Sequence, residues 1–210
     1  MTDQASPPQA SPPQAEDAPE IVVICTGNIA RSPFAMALLE HEARQRLGDH
    51  APVTVRSAGV HGLEGEPAVE AMLQEAADRG LDLSRHRGAR IGAVDVRAAD
   101  LLLTATASHR DRLASLAPEA SGRIFTLKEF ARLVQRAPDV PPELPPRDRV
   151  RWYVSHAHEA RDRRTRGRNE DVADPYGGPR EGYRTVAAEI ERTVAQIATA
   201  LFGHSGVSQG

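Results

Sequence analysis

Cysteine is almost absent: the 210-residue chain has one, Cys25. A single thiol excludes an internal disulfide framework, a cysteine-rich zinc site, and any redox cycle that needs two thiols in one chain. Lysine is as scarce. Lys128 stands alone among 26 basic residues, and this arginine bias runs along the whole chain, so it reads as a property of the source genome rather than of function. Aromatic residues make up only 4% of the chain. No run approaches the roughly 18 to 20 apolar residues of a membrane span. The N-terminus lacks the basic-then-apolar pattern of a secretory signal. Neither sign of charge dominates: the net charge of -3 argues against a chain built to coat nucleic acid. The expected compartment is the reducing cytoplasm, where a lone thiol survives.

What is present fits one domain with appendages, since 40% of the residues are apolar. Residues 1–19 contain ASPPQ twice in succession and no apolar period, so a disordered arm is expected there, either a solubilising tail or a docking arm. The ordered domain is expected over 20–202, with a flexible tail at 203–210. Ile21 to Ile24 is a β-branched run of the kind buried on both faces of a sheet. A loop of seven residues, Cys25 to Arg31, follows, and Ser32-Pro33 reads as the cap and first residue of a helix. Further strands are expected at 53–57, 101–104 and 123–127, and helices at 67–79, 108–116 and 128–135. Alternating strands and helices predict a three-layer α/β fold, a parallel sheet flanked by helices. From about Pro179 a last helix carries Tyr183, Val186, Ile190, Val194, Ile197 and Leu201 at helical spacing, a core stripe.

Residues 137–170 interrupt this rhythm as a Pro/Arg-rich insertion. Five prolines lead in, and 147–168 carries eight arginines against three acidic residues. The favoured reading is a solvated surface excursion with a short helix around Val150, Trp152, Tyr153, Val154 and Ala157. The alternative is a basic contact site for an acidic partner.

The first loop carries the chemistry. It lies at the carboxyl end of a buried strand, where such sheets bind ligands. Gly27 is expected to supply unusual dihedrals. Successive backbone N–H groups and the positive end of the helix dipole make an anion nest, which favours a thiolate at Cys25. Arg31 presents a fork that grips two oxygens of a tetrahedral anion. A nucleophile at the floor of a phosphate cradle implies phosphoryl transfer to sulfur. The leaving group then needs a proton, and a water must be activated for the second step. Asp174, in the turn Asp174-Pro175-Tyr176-Gly177-Gly178, is the candidate acid, though Asp-Pro is also common in ordinary turns.

The segment Val23 to Pro33, VICTGNIARSP, together with the later Asp174-Pro175-Tyr176, resembles the low-molecular-weight protein tyrosine phosphatases. Ser57-Ala58-Gly59 and His86 also resemble family positions, and the likeness covers about 20–136 and 171–202. It implies a four-stranded parallel sheet, no metal or other cofactor, and a phosphocysteine intermediate. By the same resemblance Cys25 is the nucleophile, Arg31 binds phosphate, and Asp174 is acid and then base. Thr26, Gly27, Asn28, Ile29, Ala30 and Ser32 form the phosphate loop, with Ser32 donating to the Cys25 sulfur. Ser57 and His86 support Asn28 from behind. The implied partner is a phosphotyrosine protein, for bacterial relatives often an autophosphorylated tyrosine kinase. Membrane and nucleic-acid partners are not expected.

Three departures from the family pattern stand out. Ala30 occupies the place of a common second cysteine, so oxidised Cys25 has no internal partner. Leu63 stands where an aromatic often walls the pocket, leaving Ile29, Leu63 and Tyr176 as the substrate wall. The insertion precedes the acid turn. Three other readings compete: nucleic-acid binding through the basic stretch 147–168, an arsenate reductase fed by an external thiol, and, last, a phosphoprotein-binding module without turnover. The binding-module reading predicts loss of Cys25, Arg31 or Asp174, and all three are present.

Overall fold

The computed structural model describes residues 18–161 and 170–203. The β-branched run forms β1 (Glu20–Cys25), and a short loop leads into α1 (Arg31–Leu47). Next come β2 (Thr54–Gly59), α2 (Glu70–Ala77), α3 (Ala93–Ala98), β3 (Leu101–Thr104) and α4 (Ala107–Leu116). A 3-10 helix (Pro118–Arg123), β4 (Ile124–Thr126), α5 (Leu127–Val134), α6 (Pro146–Glu159) and α7 (Arg180–Phe202) complete the order.

The four strands are all parallel and lie in the order β2-β1-β3-β4. From β1 the chain first goes to one side and then returns to the other, so the connection reverses between β1 and β3. A crevice for ligand opens at the carboxyl ends of the strands at such a reversal. Cys25 is the last residue of β1.

Alternate residues of each strand face opposite layers. Ile21, Val23, Leu101, Leu103 and Phe125 pack with α1, α5 and α7, and all six apolar residues of the expected α7 stripe are buried in this layer. Val22, Ile24, Leu102 and Ile124 pack with Val96 of α3, Leu113 of α4 and Ala120 on the other side. Burial on both faces is why the strands read as continuous apolar runs.

The structure departs from the sequence reading in three places. Ser32 does not cap α1. The helix starts at Arg31, with Ala30 as the residue before it and no side-chain cap. The Ser32 hydroxyl bonds the Cys25 sulfur and the Asn28 side chain instead. The short α3 and the 3-10 helix were not foreseen, because each buries one apolar residue and shows no periodicity. The short helix expected around Val150 to Ala157 forms, but over its described residues it is packed rather than solvated. Val150, Tyr153 and Ala157 of α6 are buried in the larger core.

The arginines of α6 have partners within the chain. Arg147 and Arg151 donate to Asp100 Oδ1 at 3.1 and 3.0 Å, and Arg149 donates to the carbonyl of Ala200. Beyond the helix, Arg161 pairs with Glu129 at 3.0 Å and lies over the Phe125 ring. Residues 162–169 of the excursion, most of the expected arm and nearly all of the expected tail lie outside the described residues. Pro19, assigned to the arm, is buried, and its carbonyl accepts from Thr54 N at 2.9 Å.

Candidate active site

The loop after β1 folds around its own asparagine. Asn28 is fully buried and is the one non-glycine residue with positive φ among those described, at 58°. Asparagine tolerates this left-handed geometry better than most residues. Gly27, expected to take the unusual conformation, does not. Its carbonyl accepts from Leu63 N, and the Leu63 side chain lies against it.

Every polar group of Asn28 has a partner. Its side-chain amide donates to Ser32 Oγ and Ser57 Oγ, each at 2.9 Å. Its Oδ1 accepts from Ala89 N at 2.9 Å. Its backbone N–H donates to Cys25 Sγ at 3.3 Å. Its carbonyl lies 2.7 Å from His86 Nε2. A carbonyl can only accept, so His86 carries its proton on Nε2. Burial pushes the His86 pKa below the ordinary imidazole value, partly offset by this bond to Asn28. Cys25 is buried, and its sulfur also lies 3.0 Å from Ser32 Oγ.

The strand beside the loop is a glycine where it must be. A Cβ at Gly59 would fall 2.4 Å from the carbonyl oxygen of Thr26 and 3.0 Å from Asn28 N. Only a bare backbone lets β2 end against the loop.

Arg31 is buried at the start of α1. It donates to the Val172 carbonyl at 3.1 Å, to Thr26 Oγ1 at 3.3 Å and to Asp174 Oδ2 at 2.5 Å. Its Nε is buried and has no hydrogen-bond partner among the described residues. The Asp174 side chain is about half exposed at 49%, so it reaches both the guanidinium and the mouth of the pocket. The turn that carries it is fastened upstream. Val172 N donates to Ala105 O, Asp171 accepts from Ala107 N, and Arg132 pairs with Glu170 at 2.5 Å. Lys128, the lone lysine, donates to Asp171 O and to Glu189 on α7.

These groups line one cleft of about 270 Å³, formed by Cys25, Thr26, Gly27, Ile29, Ala30, Arg31, His61, Leu63, Asp174 and Tyr176. Three catalytic candidates and the three proposed wall residues, separated by up to 151 positions in the chain, therefore meet at one cavity. Ser57 and His86 stand behind it. Among the described residues, no three His, Cys, Asp or Glu side chains converge as metal ligands.

One buried site residue escaped the sequence reading. His109 links Thr26 Oγ1, at 3.0 Å from Nε2, to Thr106 Oγ1, at 2.9 Å from Nδ1. Burial, reinforced by the nearby Arg31 charge, pushes its pKa down to about 4. At neutral pH it is thus an uncharged link with one donating and one accepting nitrogen. Its sequence signal was a Thr three residues ahead at the cap of the helix after β3, on the other side of the same crevice.

The sequence model of the low molecular weight phosphotyrosine protein phosphatase family matches residues 20–145. A protein-arginine-phosphatase of Geobacillus stearothermophilus is 30% identical over 181 residues, 86% of this chain and 95% of that protein. The low molecular weight protein-tyrosine-phosphatase Etp of Escherichia coli K12 is 41% identical over 110 residues, 52% of this chain and 70% of that protein. Among solved structures, a cysteine-to-serine variant of the YwlE arginine phosphatase with a phosphorylated active-site serine superposes with a TM-score of 0.65. It is 26% identical, covering 87% of this chain and 95% of that one.

Proposed function

The chain belongs to the low molecular weight phosphotyrosine protein phosphatase family and is a cysteine-dependent phosphatase, and from that premise we propose that it hydrolyses phosphotyrosine on proteins with Cys25, Arg31 and Asp174 as its catalytic residues. The observation that carries this reading is the convergence of thiol, guanidinium and carboxylate on one cleft whose wall is apolar.

Substrate phosphate takes over the Arg31 guanidinium, including the N–H at Nε that is otherwise unengaged, and displaces Asp174 from its ion pair. The backbone N–H groups of Thr26 to Arg31 cradle the phosphoryl oxygens. Cys25 Sγ attacks phosphorus as the thiolate and the P–O ester bond breaks; Asp174, freed from Arg31 and protonated from solvent through its exposed side, passes that proton to the leaving phenoxide. A water then gives its proton to Asp174 and attacks phosphorus. The S–P bond breaks, orthophosphate leaves, and Ser32 receives the returning thiolate with a hydrogen bond. A phosphorylated nucleophile in the YwlE variant supports the covalent intermediate.

The wall favours an aryl group. Ile29, Leu63 and Tyr176 give a ring apolar contact, and among the described residues the one carboxylate lining the cleft is Asp174, already paired with Arg31. A phosphoarginine side chain carries a guanidinium, which asks for a carboxylate on the wall. The arginine-phosphatase relative nevertheless makes phosphoarginine the second reading. The proposed partner is a phosphotyrosine protein, such as an autophosphorylated bacterial tyrosine kinase, in a reducing cytoplasm that suits an unpaired thiol. No described helix is long and apolar enough to cross a membrane.

The test is hydrolysis of p-nitrophenyl phosphate in excess chelator, followed by matched phosphotyrosine and phosphoarginine peptides. The wild type is expected to turn over in chelator and to prefer phosphotyrosine. Cys25→Ser abolishes turnover, and Asp174→Ala slows it on the order of 10²- to 10⁴-fold. A preference for phosphoarginine overturns the substrate reading, and activity in Cys25→Ser overturns the chemistry.

A further inference from the structure

A second cleft of about 310 Å³ lies beside the catalytic one, and its walls are basic and apolar. Val60, Ile91, Leu113 and Leu116 form the apolar part, and Arg90 and Arg112 supply the charge. No carboxylate among the described residues lines it. Among the described residues, neither guanidinium has a hydrogen-bond or ion-pair partner. That sets the pair apart from the arginines of α6, which are held by Asp100 and the Ala200 carbonyl.

The two clefts are lined by consecutive residues of one segment. Val60 lines the second and His61 the first, and consecutive residues are about 3.8 Å apart along the chain. Both residues are pinned to the phosphate loop, Val60 N to Cys25 O at 2.9 Å and His61 N to Thr26 O at 3.0 Å. The Arg90 backbone is held equally firmly. Ala89 and Ile91 on either side both bond Gly59, and Ala89 N also bonds Asn28 Oδ1. Arg112 projects from α4, whose Leu113 is fully buried. Two rigid elements therefore hold two unpaired cations next to the catalytic mouth.

We propose that this cleft is a specificity subsite for an acidic side chain flanking the phosphotyrosine of the substrate protein, gripped by Arg90 and Arg112. The inference rests on the phosphatase reading above and adds the substrate's sequence context to it. The fork of a guanidinium pairs with a carboxylate through two parallel hydrogen bonds. An extended substrate advances about 3.3 Å per residue, so the subsite is reached within a few residues of the phosphorylated one. The apolar floor takes the methylene stem of a glutamate.

Three substrates test it: p-nitrophenyl phosphate, a phosphotyrosine peptide with glutamates at the flanking positions, and the same peptide with glutamines there. The wild type is expected to show a kcat/KM roughly three- to tenfold higher on the acidic peptide, an advantage that fades with added salt. In Arg90→Gln/Arg112→Gln that advantage disappears while p-nitrophenyl phosphate turnover is unchanged. Arg112→Gln alone, remote from the loop backbone, loses part of it and guards against a folding defect in the double variant. Equal rates of the wild type on the two peptides, or an undiminished advantage in the double variant, overturn the subsite. Failure of the wild type on p-nitrophenyl phosphate instead overturns the phosphatase reading beneath it.

Discussion

Asn28 shows how much one side chain can hold. It sits in a left-handed conformation, ties the loop to β2 through Ser57 and to the 86–89 segment through His86 and Ala89, and presents its N–H to the Cys25 sulfur. Asn28→Asp keeps the acceptor for Ala89 N but loses the donors to Ser32 and Ser57, and it buries a carboxylate. The expected cost is about 2–4 kcal/mol of stability, with kcat falling more than KM rises, measured by denaturant unfolding and steady-state kinetics. Cys25 has Ala30, not a second thiol, beside it in the loop. Peroxide is therefore expected to inactivate the enzyme, with recovery only on addition of an external thiol. Full recovery without added thiol contradicts this.

At the scale of elements, α6 and the acid turn are each held by a few polar anchors over an apolar contact. Asp100 is buried at the amino end of β3 and accepts from Glu20 N, Arg147 and Arg151. Both arginines are partly exposed, so the pairs are worth less than fully buried ones. Asp100→Ala is expected to lower stability by roughly 2 kcal/mol and to leave p-nitrophenyl phosphate turnover nearly unchanged, because α6 lies away from the cleft residues. The basic run of α6 and the residues just after it reads as solvated in sequence because its acidic partners, Asp100 for the helix and Glu129 for Arg161, come from distant segments. The acid turn shows the same dependence: Asp174 reaches Arg31 only because Val172 bonds Ala105 at the end of β3 and Lys128 holds Asp171.

For the whole molecule, the buried histidines couple the fold to pH. His109 has its pKa near 4 in the folded state against about 6.5 when unfolded. Between those values the unfolded chain binds the extra proton, so stability is full above pH 6.5 and falls as pH drops toward 4. His86, also shifted down by burial, acts in the same direction. Unfolding in urea at pH 7 and pH 5 should show this loss, at most about 3 kcal/mol from His109. His109→Gln, which keeps a donor and an acceptor, should flatten part of the slope.

The strands, the long C-terminal helix and the phosphate loop were legible in the sequence because each is written locally. β-branched runs mark strands buried on both faces, a 3.6-residue stripe marks α7, and Cys25 and Arg31 share one short loop. Asp174 was legible as a turn carboxylate that could supply the acid the loop's chemistry needs, and the family resemblance strengthened that assignment. Tertiary structure decided the rest. It put Asn28, not Gly27, in the left-handed position, turned Ser32 from a helix cap to the sulfur, and brought His109 behind Thr26. It also paired Arg147 and Arg151 of α6 with Asp100 and left Arg90 and Arg112 without a partner among the described residues. Which charges remain free depends on contacts between segments far apart in the chain, and local sequence does not record those contacts.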